Sequence, residues 1–180
     1  MQLFKSKDKF LQFTLNLESS KKFSLKQGIT TTNENTLEAL KRFSMLERQS
    51  FKTFYLWGEK GSGKTFWLRS WQKEKEKNSI YFDSQVESQF IPEKNNWFLY
   101  VDNIENANEK IKSQLFEELI NQHITNNRFV FASKVDVSNL KTFNFREDFV
   151  SRLKQGLVYH LTELPDEEKK NALRVHIHNL

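Results

Sequence analysis

From residue 53 onward, short apolar runs alternate with segments whose apolar residues recur every three or four positions. The apolar runs predict strands at residues 53–57, 79–83, 97–101, 128–133 and 157–161. The periodic segments predict helices at residues 64–77, 108–123, 146–155 and 165–178, the last with a proline in its first turn. Because strands and helices alternate, we expect an α/β fold with a parallel five-stranded sheet between layers of helices.

Two further expectations concern the arrangement of these elements. We expect the strand that begins at Thr53 to be central and to border the fully apolar strand that begins at Trp97. Ahead of the sheet, a helix is predicted from Glu34 to Arg48, because leucine and phenylalanine recur on one side of it. The preceding residues carry only short apolar pieces between Lys, Ser and Thr, and they predict an extended arm over residues 1–33.

The composition is that of one globular domain. The chain has 180 residues, of which 37% are apolar and 28% charged, and this length suits a single core. Phenylalanine occurs 17 times, so we expect an aromatic core. Cysteine is absent, which excludes disulfides, thiol catalysis and cysteine-bound zinc. The apolar runs are strand-sized and the first residues are not an apolar leader, so we expect a cytoplasmic protein with no membrane contact.

The net charge of +5 comes mainly from lysines dispersed among glutamates. The run from Lys73 to Lys77 alternates Lys and Glu, a pattern typical of a solvated helix face. A moderately basic protein can still work close to DNA, since net charge influences association. Charge alone leaves direct DNA binding open, and the family resemblance described below implies contact with DNA only indirectly, through protein partners.

A glycine-rich loop between the first strand and the next helix matches the phosphate-binding pattern G-x-x-x-x-G-K-[ST] at every fixed position. Glycines let the backbone wrap around an anion with its N–H groups pointing inward, and the following helix adds its dipole. We expect the loop to bind ATP or ADP, with Lys64 bridging the β- and γ-phosphates of a triphosphate and Thr65 offering its hydroxyl to Mg²⁺. The predicted nucleotide-binding residues are Gly58, Glu59, Lys60, Gly61, Ser62, Gly63, Lys64, Thr65 and Phe66.

The third strand leads into Asp102, a carboxylate at the position where P-loop proteins hold Mg²⁺. Many P-loop ATPases place an acid directly after this aspartate to activate the attacking water, but here the residue is Asn103, whose amide is not a base. Glu105, two residues further on, need not point the same way, so we expect slow intrinsic hydrolysis. Ser133, which ends the fourth strand, is a candidate sensor of the γ-phosphate or the attacking water, and it equally suits a turn.

The spacing of these residues and of a later segment, Ser151-Arg152-Leu153, resembles the AAA+ P-loop ATPases, specifically the DnaA-type bacterial replication initiators. In that family an S-R-[FL] helix, followed by a strand and another helix, carries an arginine finger. The resemblance implies a catalytic role in trans, in which Arg152 reaches a nucleotide held by a neighbouring subunit and stabilises its transition state. Without the resemblance, Arg152 would be an ordinary surface or helix-capping arginine.

Within the family, two features are similar to the Hda branch, the regulatory inactivators of DnaA. An asparagine after the strand-ending aspartate is typical of that branch, whereas initiators carry two acids. The segment from Gln12 to Leu17 resembles the Q-L-x-L-x-L peptide by which such proteins dock on the DNA polymerase sliding clamp. The same alternation of apolar and polar residues also suits an edge strand. The residues that would contact the clamp are Gln12, Phe13, Leu15 and Leu17.

The resemblance implies three parts, namely an arm with the clamp-binding peptide (1–33), an AAA+ nucleotide-binding core (34–163) and the first helix of a truncated lid (164–180). It implies a regulator that binds ATP or ADP with Mg²⁺, docks on the clamp and promotes ATP hydrolysis by a DnaA-type initiator. Self-association is left open. The competing hypothesis is a self-contained ATPase, similar to a helicase loader, that acts on DNA. A third is a nucleotide-binding adaptor without a catalytic contribution.

Overall fold

The structure, a computed structural model, describes residues 31–45, 51–74, 79–89, 98–125 and 127–170. The predicted clamp-binding residues Gln12, Phe13, Leu15 and Leu17 lie outside the described residues. The later part of the predicted lid helix, after residue 170, also lies outside them. The predicted core of the domain falls largely within them.

Five parallel strands form the centre of the fold, as the alternation of strand and helix patterns predicted. Every predicted strand is present, with only small shifts at its ends. The strands lie in the order β2-β3-β4-β1-β5 across the sheet. They are β1 (Thr53–Trp57), β2 (Ser79–Asp83), β3 (Phe98–Asp102), β4 (Arg128–Ser133) and β5 (Leu157–His160).

The predicted neighbour of β1 is wrong. β1 pairs with β4 and with β5, so that Phe54 lies opposite Val130 on one side and Leu157 on the other. In the described sheet β3 lies between β2 and β4, and β4, not β1, is the middle strand. An apolar run indicates that a strand is buried, but it carries no information about which strand lies beside it.

The helices agree with the predicted ranges in the described part of the chain. For α1 and α2, the predicted ends at Arg48 and Lys77 lie outside that part. Two 3₁₀ segments, Ile104–Asn106 and Val137–Phe143, follow β3 and β4. Residues 166–170 are helical and begin the predicted lid helix. The α-helices are α1 (Glu34–Met45), α2 (Lys64–Glu74), α3 (Glu109–Thr125) and α4 (Glu147–Lys154).

The core consists of two apolar layers, one on each face of the sheet. Successive strand residues point to opposite faces, so Phe54 and Leu56 pack with α1 and α2, whereas Tyr55 packs with α3 and α4. The prediction of an aromatic core is confirmed, since aromatic rings dominate the largest fully buried side chains. Among them are Trp71, Tyr55, Tyr100, Phe43, Phe54, Phe129, Phe131 and Phe149.

The segment that leads into α1 is attached to the end of β5. Asn33 is buried, and its amide donates to the Thr162 carbonyl oxygen at 2.8 Å while its side-chain oxygen accepts from the Thr162 N–H at 2.9 Å. The Thr36 hydroxyl donates to the His160 carbonyl oxygen at 3.1 Å. Asn33 therefore uses its side chain for a contact with a distant part of the chain.

The two edges of the sheet are not equivalent. All strands end at one edge, here called the carboxyl edge, and begin at the other, the amino edge. Gly156, between α4 and β5, packs against Thr53, the first residue of β1. A Cβ at Gly156 would lie 2.6 Å from the Thr53 carbonyl oxygen and closer still to its hydroxyl. The C-terminal end of α4 is therefore at the amino edge.

This close approach generates a prediction about stability. Gly156→Ala should lower the free energy of unfolding by about 1–3 kcal/mol, because the added methyl group overlaps the Thr53 backbone and β1 has no room to move within the sheet. Thermal or urea denaturation would measure the change. Ser151→Ala, at an exposed position of α4, is the matched control and should unfold as the wild type does. Equal stability of Gly156→Ala and wild type would contradict the packing described here.

Candidate nucleotide-binding site

The glycine-rich loop lies at the carboxyl edge between β1 and α2, where the sequence predicted it. Its first residue, Gly58, donates its N–H to the Ser133 carbonyl oxygen at 3.1 Å, which ties the loop to the end of β4. Gly61 and Gly63 have φ angles of 91° and 97°, which glycine adopts without steric cost. The loop is thereby held in a tight curve before α2 begins.

The curve leaves a group of backbone donors without partners. Within the described part of the chain, these N–H groups donate to no acceptor, and two of them belong to the first turn of α2. Such donors, arranged before and at a helix N-terminus, form an anion-binding site. The residues are Lys60, Gly61, Gly63, Lys64 and Thr65.

The other predicted loop residues divide into exposed and buried positions. Glu59 and Lys60 are exposed at the tip. Ser62 is buried, and its N–H donates to the Glu59 carbonyl oxygen at 3.2 Å. Phe66 is half-buried, with its ring centroid 5.5 Å from that of Trp67. Its ring packs against the apolar layer of α1 and α2, so Phe66 serves the core.

Lys64 is buried at the base of the loop. Its Nζ donates to the carbonyl oxygens of Gly58 at 2.6 Å and Glu59 at 2.9 Å. Burial lowers the pKa of Lys64 from its ordinary value, and the charges of Asp102, Glu105 and Glu59 oppose that shift. Since a buried cation favours an anionic partner over neutral carbonyls, the oxygens of a phosphate are suited to take their place.

The side chains of Thr65 and Asp102 meet at the carboxyl edge. The Thr65 hydroxyl donates to Asp102 Oδ2 at 2.6 Å, and the Tyr81 hydroxyl donates to the same oxygen at 2.9 Å. Burial raises the pKa of Asp102, while hydrogen bonds from Thr65, Tyr81 and the Asn103 N–H oppose the rise. Hydroxyl and carboxylate oxygens are ligands that Mg²⁺ prefers, so this pair fits the ion. No pattern in the sequence indicated a role for Tyr81.

Asn103, directly after Asp102, has a backbone conformation and a hydrogen bond that suit an asparagine. Its φ angle of 51° lies in the left-handed region, which asparagine tolerates better than most residues. Its amide donates to Asp83 Oδ1, at the end of β2, at 2.9 Å. The left-handed residue turns the chain sharply into the 3₁₀ segment Ile104–Asn106, in which Glu105 is buried.

Ser133 and Glu105 form a buried pair next to the loop. The Ser133 hydroxyl donates to Glu105 Oε2 at 2.8 Å and accepts from the Val135 N–H at 3.2 Å. The direction of the Glu105 side chain could not be predicted from the sequence, because it depends on the backbone angle at Asn103. The signal in the sequence was an acidic residue between a buried strand and a helix, which is too common to identify a site by itself.

Arg152 is not part of this constellation. It is exposed in the last turn of α4, and its guanidinium makes no hydrogen bond or ion pair with the described residues. The end of α4 is at the amino edge, whereas the loop follows the carboxyl end of β1. A five-residue strand such as β1 separates the two edges by roughly 13 Å.

Together the parallel sheet, the loop, and the placement of Lys64, Thr65 and Asp102 define a P-loop nucleotide-binding fold of AAA+ type. The chain belongs to the Sigma-54 interaction domain family, which it matches over residues 32–164. A relative from Haemophilus influenzae, described as an uncharacterized protein, is 29% identical over 149 residues, which are 77% of this chain and 63% of the relative. The chain thus spans less than two thirds of that protein.

Solved structures with the same fold include replication proteins. A DNA replication initiation factor has a TM-score of 0.69 at 16% identity, over 87% of this chain and 54% of that one. Domain III of DnaA from Thermotoga maritima has a TM-score of 0.67 at 19% identity, over 87% of this chain and 74% of that one. A RuvB variant from the same organism has a TM-score of 0.63 at 18% identity, over 88% of this chain and 54% of that one. These similarities establish the fold.

Some of the similar structures contain a nucleotide analogue. DnaA from Aquifex aeolicus, with AMPPCP bound, has a TM-score of 0.67 at 16% identity, and the match covers 87% of this chain and 55% of that one.

In the described residues of the present chain, no helix combines the length and apolar character that crossing a membrane requires.

The geometry of the loop predicts the effect of removing its lysine. Lys64→Ala should weaken the binding of ATP and ADP by roughly tenfold or more, because a charge-assisted contact to phosphate is lost and no other loop side chain replaces it. Titration calorimetry with each nucleotide would measure the dissociation constants.

The control for this prediction is Lys154→Ala, which removes an exposed lysine of α4 far from the loop. It should bind both nucleotides as the wild type does, and circular dichroism should give the same spectrum for all three proteins. Unchanged nucleotide affinity in a folded Lys64→Ala protein would mean that the loop is not a phosphate site.

Proposed function

We propose that the protein is a nucleotide-binding regulator of DNA replication initiation. In this proposal it binds ATP or ADP with Mg²⁺ and promotes ATP hydrolysis by a DnaA-type initiator. The observation that carries the nucleotide-binding part is the curved loop, which combines unpaired N–H groups with the buried ammonium of Lys64 at its base. Such a site binds phosphate groups because it supplies both charge and directed donors.

Thr65 and Asp102 would hold Mg²⁺, which would neutralise phosphate charge when it is bound. Their oxygens are already 2.6 Å apart, so the two side chains need little rearrangement to share a partner. Tyr81 donates to the same Asp102 oxygen and holds the carboxylate in place. A second carboxylate, Asp83, lies at the end of the neighbouring strand opposite Asp102.

The position of Arg152 supports a role on a neighbouring molecule. The residue is exposed, has no polar partner among the described side chains, and lies at the amino edge, away from the loop of its own chain. An arginine in such a place can contact phosphates held by another P-loop protein, where a planar guanidinium stabilises transferring phosphoryl groups. The resemblance to DnaA-type proteins makes a DnaA-type initiator the partner that we propose.

The decisive experiment measures ATP hydrolysis by a DnaA-type initiator in the presence of this protein, the sliding clamp and DNA, with each component omitted in turn. Arg152→Ala should reduce stimulation by roughly 10³- to 10⁵-fold, the range for arginine fingers. It should leave folding, nucleotide binding and clamp binding unchanged, since the side chain is exposed and makes no polar contact with the described residues. Arg152→Lys should not restore stimulation, because an ammonium cannot reproduce the planar fork of the guanidinium.

Lys154→Ala is again the matched control, because it removes a neighbouring exposed charge from the same helix turn. It should stimulate the initiator like the wild type. Full stimulation by the Arg152→Ala protein would refute the action in trans while leaving nucleotide binding intact.

The proposed docking site for the sliding clamp is the peptide from Gln12 to Leu17. Replacing Gln12 and Leu15 together by Ala should abolish clamp binding and leave the thermal unfolding of the domain unchanged, since the peptide precedes the AAA+ core. Surface plasmon resonance on immobilised clamp would measure the interaction. Thr14→Ala with Asn16→Ala, at the intervening positions, is the control and should retain binding. Clamp binding by the Gln12 and Leu15 double variant would exclude this peptide.

A self-contained ATPase is the second candidate, and one observation favours it. Glu105, a buried carboxylate, is paired with Ser133 beside the loop. In that case a second copy of the chain would supply Arg152, and the protein would hydrolyse ATP without an initiator. Turnover by this protein alone that rises steeply with its concentration distinguishes this function from the regulatory one.

A further inference from the structure

An exposed arginine, Arg69, lies beside the residues that would hold the metal and has no role in the proposed function. It follows Thr65 by four positions in α2, so the two side chains are neighbours on one face of the helix. The Cζ atom of Arg69 lies over the ring of Tyr81, 4.9 Å from its centre. Because a cation is attracted to the face of an aromatic ring, Tyr81 holds this arginine on the side of α2 that faces β2.

Tyr81 connects Arg69 to Asp102. Its ring carries the guanidinium on one face, and its hydroxyl donates to Asp102 Oδ2 at 2.9 Å. The pKa of Arg69 is raised, first by hydrogen bonding with the Tyr81 hydroxyl and, more weakly, by the negative charges of Asp83 and Asp102. The exposed arginine therefore interacts with the buried carboxylate of Asp102, and the Tyr81 side chain lies between them.

Asp102 needs positive charge nearby, because its side chain is fully buried. Burying a carboxylate is costly unless hydrogen bonds and opposite charges replace its lost hydration. Among the described residues, the charge of Asp102 raises the pKa of two cations, Lys64 and Arg69. Lys64 donates to carbonyl oxygens of the loop and is assigned to the phosphates in the proposed function. Arg69 is therefore the cation that remains as a counter-ion for Asp102.

We propose that Arg69, acting through Tyr81, is the counter-ion of Asp102 in the metal-free protein, and that its charge competes with Mg²⁺ for this carboxylate. Arg69 would thereby set the Mg²⁺ concentration at which the nucleotide site takes up metal. The inference rests on the proposed binding of a nucleotide with Mg²⁺. Arg69 is a positioning residue in this scheme, since it acts on the metal only through Tyr81 and Asp102.

The competition follows from electrostatics. A divalent ion held by Thr65 and Asp102 brings positive charge close to the guanidinium of Arg69, and like charges repel. The repulsion is moderate, because Arg69 is exposed and water with dissolved salt screens it. The Tyr81 hydroxyl bonds to Asp102 more strongly when a cation polarises it, so the arginine also stabilises the carboxylate without metal. Both effects predict that loss of the Arg69 charge strengthens metal binding.

The test measures metal binding directly, with Mn²⁺ as a probe that electron paramagnetic resonance detects. The full chain, saturated with ADP, is titrated with Mn²⁺, and competition by Mg²⁺ then gives the dissociation constant of Mg²⁺. Arg69→Gln should bind both ions about fivefold more tightly than the wild type, the effect of removing one screened charge near a divalent ion. In EDTA its affinity for ADP should equal that of the wild type, because Arg69 is not part of the loop.

Arg42→Gln is the matched control, because it makes the same change at an exposed arginine of α1 that pairs with Glu38. It should bind Mn²⁺ and Mg²⁺ as the wild type does. Equal or weaker metal binding by Arg69→Gln, relative to the wild type, would overturn the competition. Weaker binding of ADP in EDTA by Arg69→Gln would also overturn it, since the arginine would then act on the nucleotide itself.

A double-mutant cycle tests the path through Tyr81. Tyr81→Phe removes the hydroxyl that donates to Asp102 and that anchors Arg69 by hydrogen bonding. In the Tyr81→Phe background, Arg69→Gln should therefore change the metal affinity by less than about twofold. A merely structural role of either residue would give independent effects, so a full fivefold change in both backgrounds would overturn the action through Tyr81.

The outcomes separate this inference from the proposed function. If the wild type does not bind ADP, the proposed nucleotide site itself is wrong. If it binds ADP but no Mn²⁺, the metal pair and the present inference fail together, whereas the phosphate site stands. If it binds both and Arg69→Gln behaves like Arg42→Gln, only the present inference fails. Thermal unfolding shows that each variant is folded, and Arg69→Met replaces Arg69→Gln if the latter is not.

Discussion

The hydrogen bond from the Gly58 N–H to the Ser133 carbonyl oxygen, 3.1 Å long, extends the parallel pairing of β1 and β4 beyond the sheet. It places the beginning of the phosphate loop directly beside the end of the middle strand. This hydrogen bond fixes the position of the loop relative to the Ser133–Glu105 pair. It also fixes the Lys64 ammonium, which donates to the Gly58 carbonyl oxygen. If β1 and β4 were not neighbours, these groups would be on separate parts of the sheet and the site would not exist.

The charged groups of the site have polar partners within the protein. The ammonium of Lys64 is surrounded by backbone carbonyls, and the Asp102 carboxylate accepts hydrogen bonds from two hydroxyls and one N–H. Each charged group thus has a polar partner that a ligand can replace with a stronger one. This arrangement keeps the loop ready for phosphate, since little reorganisation is needed on binding.

Features of the fold and site that depend on neighbouring residues in the sequence could be predicted. Features that depend on contacts between distant residues could not. The loop and the aspartate at the end of β3 are local patterns, so the strands and the helix that carry them were predicted correctly. The neighbour of β1 was predicted wrongly, because apolar runs do not encode pairing. Glu105 was left open, since its direction depends on the left-handed backbone of Asn103. The contact between Asn33 and Thr162 joins distant parts of the chain and has no local signal.

The placement of Arg152 and the phosphate loop at opposite edges of one rigid sheet gives the domain a polarity. If the arginine of one molecule contacts the phosphates held by the next, the two molecules use different surfaces. The first molecule then has its phosphate-loop edge uncovered, and the second has its Arg152 edge uncovered. Such head-to-tail association cannot be completed by twofold symmetry. It continues until it closes as a ring, grows as a helical filament, or ends at a protein that lacks one of the two surfaces.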